Sequence, residues 1–126
     1  MKVRDLMIYP IVTIQPEVNV REAMNRMIRE NKGCLLVAKD GLLKECLGIV
    51  TISRIFVEVF AKGRESKDIS VSDIMTPAPL ITIDIDASTA DAADLMQKQN
   101  IRRLPVIKDG ALVGIVTSKD LLKCIK

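Results

Sequence analysis

The tetrapeptide Gly-Ile-Val-Thr occupies residues 48–51 of this 126-residue chain and returns at residues 114–117. The pentapeptide Val-Arg-Asp-Leu-Met at residues 3–7 also returns, as Val-Ser-Asp-Ile-Met at residues 71–75. Two motifs that recur in the same order indicate an internal repeat, and such a repeat decides the fold. The sequence therefore predicts two copies of one structural unit.

The copies divide the sequence into a first repeat at residues 1–62, a linker at 63–68 and a second repeat at 69–126. The chain is 48% hydrophobic and has the size of one globular domain. Because a half-domain of about sixty residues is marginal alone, we expect the repeats to pack as an intramolecular pair. No length remains for a separate catalytic or nucleic-acid-binding domain.

The residue types present exclude several kinds of chemistry. Histidine is absent, and the three cysteines, Cys34, Cys46 and Cys124, have no Cys-x-x-Cys spacing. Ser-His and Cys-His nucleophile pairs are therefore excluded, and neither a zinc site nor a disulfide framework is indicated. We expect the cysteines to act as small apolar residues, with no cofactor, no metal and no enzymatic activity.

Charge and hydropathy disfavour nucleic acids and membranes as partners. The net charge of +3 is scattered, and Tyr9, Phe56 and Phe60 are the only aromatic residues, so base stacking is largely unavailable. No run of 18 apolar residues and no signal-peptide pattern occurs. The sequence therefore predicts a cytoplasmic protein.

Each repeat begins with a short strand and a helix. Extended pieces at residues 12–14 and 80–83 follow prolines, which keep this part of the chain non-helical. Asn19 and Glu22 then have the spacing of a helix cap. The apolar faces predicted for the two helices consist of Val20, Ala23, Met24, Met27 and Ile28 in the first copy and Ala92, Ala93 and Met96 in the second.

A hairpin and a final helix complete each copy. Apolar runs at residues 35–38 and 104–107 lead into Lys-Asp-Gly, and Asp-Gly favours a hairpin because both residues tolerate positive φ. Return strands are predicted at residues 47–50 and 113–116. The unit is thus strand, helix, strand, strand, helix, an α+β fold. Apolar residues of the final helices are Ile55, Phe56, Val59 and Phe60 in the first copy and Leu121, Leu122 and Ile125 in the second.

The order of these motifs resembles the cystathionine β-synthase (CBS) domain, and two copies in tandem resemble a Bateman module. The most similar stretches are VSDIMTPAP at residues 71–79, IRRLPVI at 101–107 and GIVTSKDLL at 114–122. The resemblance covers essentially the whole chain. It implies two pseudo-symmetric repeats whose sheets pack on each other, with two clefts that often bind adenine nucleotides or S-adenosylmethionine.

The strongest candidate site comprises Thr117, Ser118, Lys119 and Asp120. A strand passes here into the first turn of a helix, where backbone N–H groups without helical partners favour an anion. The same residues are also suited merely to cap the helix and complement its dipole. The resemblance implies that Thr117 contacts phosphate and that Asp120 accepts hydrogen bonds from two ribose hydroxyls, a role that suits an acceptor-only carboxylate.

Further candidates lie before the second-repeat hairpin and in the opening strands. Arg102 and Arg103 carry guanidinium groups that match phosphate oxygens, although solvated surface positions are the alternative. The resemblance implies an adenine and sugar pocket drawn from these regions, for which the matching residues are Ile101, Ile81, Thr82, Ile11 and Thr13. The sequence leaves open which opening strand serves which cleft.

The first repeat departs from the family pattern. Arg54 stands where Asp120 stands in the second copy, and Lys-Gly-Cys at residues 32–34 replaces Ile-Arg-Arg. Arginine offers no acceptor to sugar hydroxyls. We therefore expect a degenerate second cleft at Thr51, Ser53 and Arg54, and about one nucleotide site per chain.

Two functions agree with these features. The first is a regulatory module that senses an adenosine-containing ligand (AMP, ADP, ATP or S-adenosylmethionine) and signals to a partner protein by a conformational change. The alternative is a ligand-free interaction or scaffold protein that retains the fold. The resemblance also implies a homodimer, to which the apolar helix Ser53–Ala61 would contribute. The sequence names neither the ligand nor the regulated partner, nor the direction of regulation.

Overall fold

The computed structural model describes residues Met1–Lys123, so the predictions that involve Cys124 and Ile125 lie outside the described residues. The chain forms two compact units. We call Val12–Leu80 the continuous unit. The split unit consists of Met1–Ile11 together with the chain from Ile81 onward. Both units combine helices with a sheet, which confirms the predicted α+β class.

The continuous unit is built on a four-stranded sheet. Its strands are β1 (Thr13–Ile14), β2 (Cys34–Ala38), β3 (Cys46–Thr51) and β4 (Thr76–Pro77). Its helices are α1 (Val20–Glu30), α2 (Ile52–Ile55), which continues into a π-helical turn (Phe56–Phe60), and α3 (Val71–Ile74). The strand order is β1-β2-β3-β4; β1 is parallel to β2, and the other pairs are antiparallel.

The split unit has a three-stranded sheet and the same succession of elements. Its strands are β5 (Ile83–Asp84), β6 (Arg103–Lys108) and β7 (Ala111–Thr117), and its helices are α4 (Thr89–Gln99) and α5 (Ser118–Leu122). β5 is parallel to β6, and β6 is antiparallel to β7. Strands β1 and β5 start later than the predicted residues 12 and 80, because only two residues of each pair in register with a neighbour.

Helices α1 and α4 begin and end in the same way. The side chains of Asn19 and Ser88 accept hydrogen bonds from the third backbone N–H of each helix, at 2.8 and 3.0 Å. Asn31 and Asn100 close the helices with left-handed φ angles of 52° and 53°. Short polar side chains thus set both ends of each helix.

The buried face of these helices is narrower than predicted. Ile28 is 76% exposed and Ala93 is exposed, so the prediction is wrong for both residues, whereas Ala23 and Ala92 are fully buried. At about 100° per residue, Ile28 lies ~80° around α1 from the buried Val20, and Ala93 lies ~100° from Ala92. Both therefore face away from the sheet.

The hairpins follow the Asp-Gly prediction. Asp109 and Gly110 have φ angles of 52° and 82°, and Asp40 and Gly41 have angles of 52° and 71°. The three additional residues of the first hairpin lie in a short 3-10 turn at Leu43–Glu45. The hairpin strands supply much of each core, as shown by the full burial of Leu35, Val37, Val50, Leu104, Val106 and Val116.

The repeated segments 3–7 and 71–75, which we call the Asp-x-Met segments, pack in an arrangement that the sequence repeat does not predict. Val3 is buried in the core of the split unit, and Ile8 pairs with Ile115 of β7. In the continuous unit, Ile74 joins the core and β4 pairs with β3. Each unit thus takes its Asp-x-Met segment from the sequence repeat that supplies the core of the other unit. The predicted sequence division at 1–62 and 69–126 does not coincide with the compact units.

The glycines of the two Gly-Ile-Val-Thr motifs make this arrangement possible. A Cβ on Gly48 would lie 2.5 Å from the Thr76 carbonyl oxygen and 2.8 Å from Met75 Sδ. A Cβ on Gly114 would lie 2.7 Å from Met7 Sδ. Both motifs therefore require glycine because an Asp-x-Met segment passes directly over the strand.

Candidate functional site

The backbone of the split unit brings Arg102 and Arg103 beside Thr117 and Ser118. Arg103 at the start of β6 pairs with Thr117 at the end of β7. Ser118 N donates to the Arg102 carbonyl oxygen at 2.9 Å. The predicted second-repeat candidates, which are about fifteen residues apart in sequence, therefore converge at one end of this sheet.

Thr117 and Asp120 form a reciprocal cap at the start of α5. Asp120 Oδ2 accepts hydrogen bonds from Thr117 N at 3.0 Å and from Thr117 Oγ1 at 2.9 Å. In return, Asp120 N donates to Thr117 Oγ1 at 3.2 Å. Asp120 is only 3% exposed, and its Oδ1 forms an ion pair of 3.5 Å with Lys123 Nζ. Oδ2 is thus engaged in the cap. Oδ1 faces the Lys123 side chain, which is 67% exposed.

The first turn of α5 offers fewer backbone donors than the sequence predicts. Ser118 N already donates to Arg102 O, and Asp120 N donates to Thr117 Oγ1. The capping role that the sequence left as an alternative is therefore present in this turn. An anion at this end of the sheet would depend chiefly on side chains.

The remaining adenine and sugar candidates divide between the two units. Ile81 and Thr82 precede β5 in the split unit, and the half-buried Ile101 precedes β6. Ile11 ends the first segment of the split unit, whereas Thr13 pairs with Leu36 in the continuous unit. Thr82 therefore belongs to the same unit as Asp120, and Thr13 belongs to the unit of Arg54.

The first-repeat counterpart has the same backbone and different side chains. Cys34 pairs with Thr51, and Ile52 N donates to Gly33 O at 3.1 Å, as Ser118 N does to Arg102 O. Thr51 Oγ1 caps α2 by accepting from Arg54 N at 3.1 Å. Ser53 lies exposed beside them.

The Arg54 side chain is held by backbone and by an acidic neighbour. Its Nε donates to the Ile74 carbonyl oxygen at 2.8 Å, at the end of α3, and a terminal nitrogen lies 3.7 Å from Glu58. A hydrogen bond from Lys62 lowers the pKa of the Glu58 carboxyl, and the charges of Lys62 and Arg54 act in the same direction. Where the second repeat has the Asp120 carboxylate, the first repeat therefore has a guanidinium with a structural hydrogen bond. No local pattern in the sequence indicates its contact with Ile74.

A small pocket of about 170 Å³ opens elsewhere in the continuous unit. Thr13, Gln15, Glu22, Arg26 and Gly41 are among the residues that line it. Gln15 is engaged in two hydrogen bonds of 3.1 Å with Asp40. This pocket includes the predicted Thr13 but none of Thr51, Ser53 and Arg54, which lie at the other end of β2 and β3.

Residues 1–123 have neither a cluster of metal ligands nor a membrane-spanning helix. No group of three or more Cys, Asp or Glu side chains in this part of the chain is arranged to hold a metal ion. None of the helices described is long and apolar enough to cross a membrane.

The fold is a tandem pair of α+β half-domains with the same strand-to-helix junction in both copies, which carries Asp120 in one copy and Arg54 in the other. The chain belongs to the CBS domain family, whose model matches residues 3–60 and again residues 71–126. The predicted family and the tandem arrangement are thereby confirmed. The two matches leave too few residues between them for a catalytic domain.

Relatives and solved structures agree with this assignment. The CBS domain-containing protein YhcV of Bacillus subtilis is 34% identical over 119 residues, which are 94% of this chain and 81% of the relative. The mitochondrial CBS domain-containing protein CBSX3 of Arabidopsis thaliana is 35% identical over 107 residues, 84% of this chain. This chain spans about half of that relative, 52% of its length.

A solved CBS domain pair is similar along nearly the whole chain. The pair of protein MJ0100, determined in complex with 5′-methylthioadenosine and S-adenosyl-L-methionine, superposes with a TM-score of 0.82 at 28% identity. The match covers 98% of this chain and 94% of that one. It supports the α+β tandem fold derived from the repeat.

Proposed function

We propose that this protein is a regulatory module that binds an adenosine-containing small molecule and transmits the binding event to a partner protein. The observation that carries the proposal is the buried Asp120 carboxylate. Thr117 holds this carboxylate by two hydrogen bonds, and Thr117 itself pairs with Arg103 on the neighbouring strand. The complex of a similar CBS pair with two adenosine compounds supports the same ligand class.

The geometry gives each residue of the split unit a distinct role in this proposal. Asp120 Oδ2 holds the cap, so Oδ1 is the atom that would accept a ribose hydroxyl, with Lys123 moving aside. Thr117 fixes the orientation of the carboxylate. The apolar Ile81 and Ile101, together with Thr82, would contact the adenine and sugar.

Regulation requires that the ligand favour one arrangement of the protein over another, because only differential affinity shifts a conformational equilibrium. A ligand that draws on β5, β6 and α5 together would stabilise their mutual arrangement. The partner that reads this change is a protein, and we propose that it recognises a homodimer of the chain.

Asp120→Asn tests the proposed ribose contact. The amide oxygen keeps an acceptor for Thr117, while the charge and one acceptor site are lost. Hydrogen bonds to charged groups contribute roughly 1.5–3 kcal/mol, so we expect at least about tenfold weaker binding of AMP in titration calorimetry. Equal affinities of the variant and the parent would show that Asp120 does not bind the sugar.

Asp120→Ala is the matched comparison, because it removes the cap as well. We expect it to lower the free energy of unfolding by about 1 kcal/mol, as for the loss of other helix caps, and to bind AMP no better than Asp120→Asn.

A ligand-free interaction protein is the second candidate function. It is favoured by the capping contacts that Thr117 and Asp120 already make and by the exposed Phe56 and Phe60. The absorbance of the freshly purified protein separates the two candidates, because the chain contains no tryptophan. A retained nucleotide gives a maximum near 260 nm and supports the regulatory module.

A further inference from the structure

The small pocket of the continuous unit has an apolar floor, which consists of Ile14, Val18 and Ala38. Ile14 and Ala38 are buried. Thr13 and Gly41 line the same pocket near the first hairpin. The pocket has a volume of about 170 Å³, whereas cavities that hold drug-sized ligands measure roughly 300–1,000 Å³. It therefore suits a molecule smaller than a nucleotide.

Two opposite charges lie side by side on the helical wall of this pocket. Glu22 and Arg26 of α1 both line it, and residues four apart on a helix face have Cβ atoms ~5–6 Å apart. Their side chains are 55% and 39% exposed, and they pair at 3.6 Å with Arg29 and Glu30 of the same helix. Exposed ion pairs contribute little free energy. A ligand can therefore engage both groups without a large loss of stability.

Hydrogen bonds at the rim hold the pocket open. Gln15 Nε2 donates to Asp40 Oδ1 and Asp40 N donates to Gln15 Oε1, both at 3.1 Å. These bonds join the end of β1 to the turn of the first hairpin. Gly41 follows with a φ of 71°, and a Cβ at this residue would lie 3.9 Å from Thr13 Oγ1. Because glycine has no Cβ, the Thr13 hydroxyl stays uncovered.

Two of the pocket residues differ in the second repeat. Leu95 occupies the position of Arg26, counted from the helix cap in both copies. Ile107 occupies the position of Ala38, directly after the valine that pairs with the opening strand. The repeated fold therefore requires neither a guanidinium nor a small side chain at these positions. Their combination is a property of the first copy.

We infer that this pocket binds a small α-amino acid with an apolar side chain. The Arg26 guanidinium donates to the carboxylate of the ligand, and the Glu22 carboxylate accepts from its ammonium group. A zwitterion satisfies both charges at once, and its side chain contacts the apolar floor. The site goes beyond the proposed function, because its lining lies within residues 13–41.

An NMR titration of the full chain with L-valine tests the inference, because backbone amide shifts both detect and locate weak binding. We expect saturable shifts centred on Thr13, Ala38 and Gly41. Isovalerate lacks the ammonium group of valine, and isobutylamine lacks its carboxylate. Because exposed charge pairs contribute modestly, each analogue should bind about three- to fivefold more weakly than L-valine. Glycine, which has no side chain for the apolar floor, should bind at least about fivefold more weakly.

Two variants assign the charges of the ligand to their partners. Arg26→Leu, which copies Leu95 of the second repeat, should weaken L-valine binding about three- to fivefold and leave isobutylamine binding within about twofold. Glu22→Gln should weaken L-valine binding by a similar factor and leave isovalerate binding within about twofold. Arg21→Leu is the matched control, because Arg21 is exposed on α1 and lies outside the pocket lining. It should change none of these affinities.

A third variant tests the shape of the pocket. Ala38→Ile copies Ile107 of the second repeat, and by narrowing the pocket it should abolish the shifts that L-valine causes. Arg26→Leu and Glu22→Gln alter only partly exposed side chains. The charge assignment can therefore be decided even if Ala38→Ile does not fold.

The outcomes decide the inference separately from the binding of AMP by the second repeat. Absence of saturable shifts with L-valine, or shifts centred outside residues 13–41, overturns the site. Isovalerate or isobutylamine that binds as tightly as L-valine overturns the amino acid assignment. The same conclusion follows if Arg26→Leu weakens isobutylamine as much as L-valine.

Discussion

Among single residues, Arg54 makes structural contacts that its counterpart in the second repeat does not make. Its counterpart Asp120 lies at a strand-to-helix junction with the same backbone, yet Arg54 donates to Ile74 O and pairs with Glu58. Arg54 offers no carboxylate at this position and adds a hydrogen bond to the end of α3. Under the proposed function, the loss of a sugar contact and the gain of a structural contact would therefore occur together.

Replacement of Arg54 should separate these two effects. Arg54→Ala removes the bond to Ile74 O and should lower the free energy of unfolding by about 1 kcal/mol. Arg54→Asp should destabilise further, because it places a carboxylate four residues before Glu58 on the same helix face. We also expect Arg54→Asp to raise the number of adenosine ligands bound per chain from about one toward two, and Arg54→Ala to leave it at one.

Calorimetric stoichiometry and thermal unfolding measure the two effects independently. Two equivalent sites in the parent protein would contradict the view that Arg54 disables its cleft. A restored site should still bind more weakly than the second-repeat site, because Gly33 and Cys34 stand in place of the two arginines.

At the scale of secondary-structure elements, the Asp-x-Met segments and the Gly-Ile-Val-Thr strands fit each other as pairs. Met75 and Thr76 lie over Gly48, and Met7 and Ile8 lie over Gly114. The close approach depends on the missing Cβ in both strands. The nearest atoms differ, however, since backbone is nearest at Gly48 and a flexible methionine sulfur is nearest at Gly114.

This difference predicts unequal effects of two identical substitutions. Gly48→Ala should lower the free energy of unfolding by about 1–3 kcal/mol, as for other overpacked sites, because the Thr76 carbonyl cannot move aside without disturbing the strand pair. Gly114→Ala should cost less, since Met7 can adopt another rotamer. Chemical denaturation of both variants provides the measurement.

Double variants test whether the methionine contacts account for the loss of stability in each glycine variant. Met7→Ala should relieve much of the additional cost of Gly114→Ala, whereas Met75→Ala should give Gly48→Ala little relief because Thr76 O remains at 2.5 Å. Equal coupling energies in the two double-mutant cycles would falsify this account of the close contacts.

At the scale of the whole molecule, the first-repeat helix presents apolar side chains that its own unit does not bury. Ile55 and Val59 are buried, but Phe56 is 57% exposed and Phe60 is 52% exposed, with ring centroids 5.4 Å apart. Val57 is exposed beside them. Large apolar side chains that cluster on a surface commonly mark an interaction site, which agrees with the proposed homodimer.

Sedimentation equilibrium should show twice the chain mass of 14.0 kDa. Phe56→Asp should shift the protein toward the monomer, because a carboxylate is costly in an apolar interface. Ile28→Asp is the matched control, since Ile28 is also exposed but lies on α1, and it should leave the dimer intact. A monomeric parent at micromolar concentration would exclude this interface between copies.

The main helices and hairpin strands of each repeat, the family and the candidate residues of the second repeat could be predicted from the sequence. The helix cap at Asn19, the Asp-Gly hairpins and the strand-to-helix segment 114–120 are local patterns, which short-range sterics and hydrogen bonding determine. The hairpin pairing of β6 with β7 then brings Arg103 to Thr117. For this reason, most of the candidate site could be predicted without a structure.

Which partner each repeated motif takes depends on tertiary packing and not on the local sequence. Sequence similarity shows that Met7 corresponds to Met75 and Gly48 to Gly114, but either methionine could cover either glycine. The crossed pairing, the exposure of Ile28 and the bond from Arg54 to Ile74 O all depend on how distant segments pack. Local periodicity carries no information about such contacts, because two equivalent segments have the same local preferences and differ only in where the chain allows them to reach.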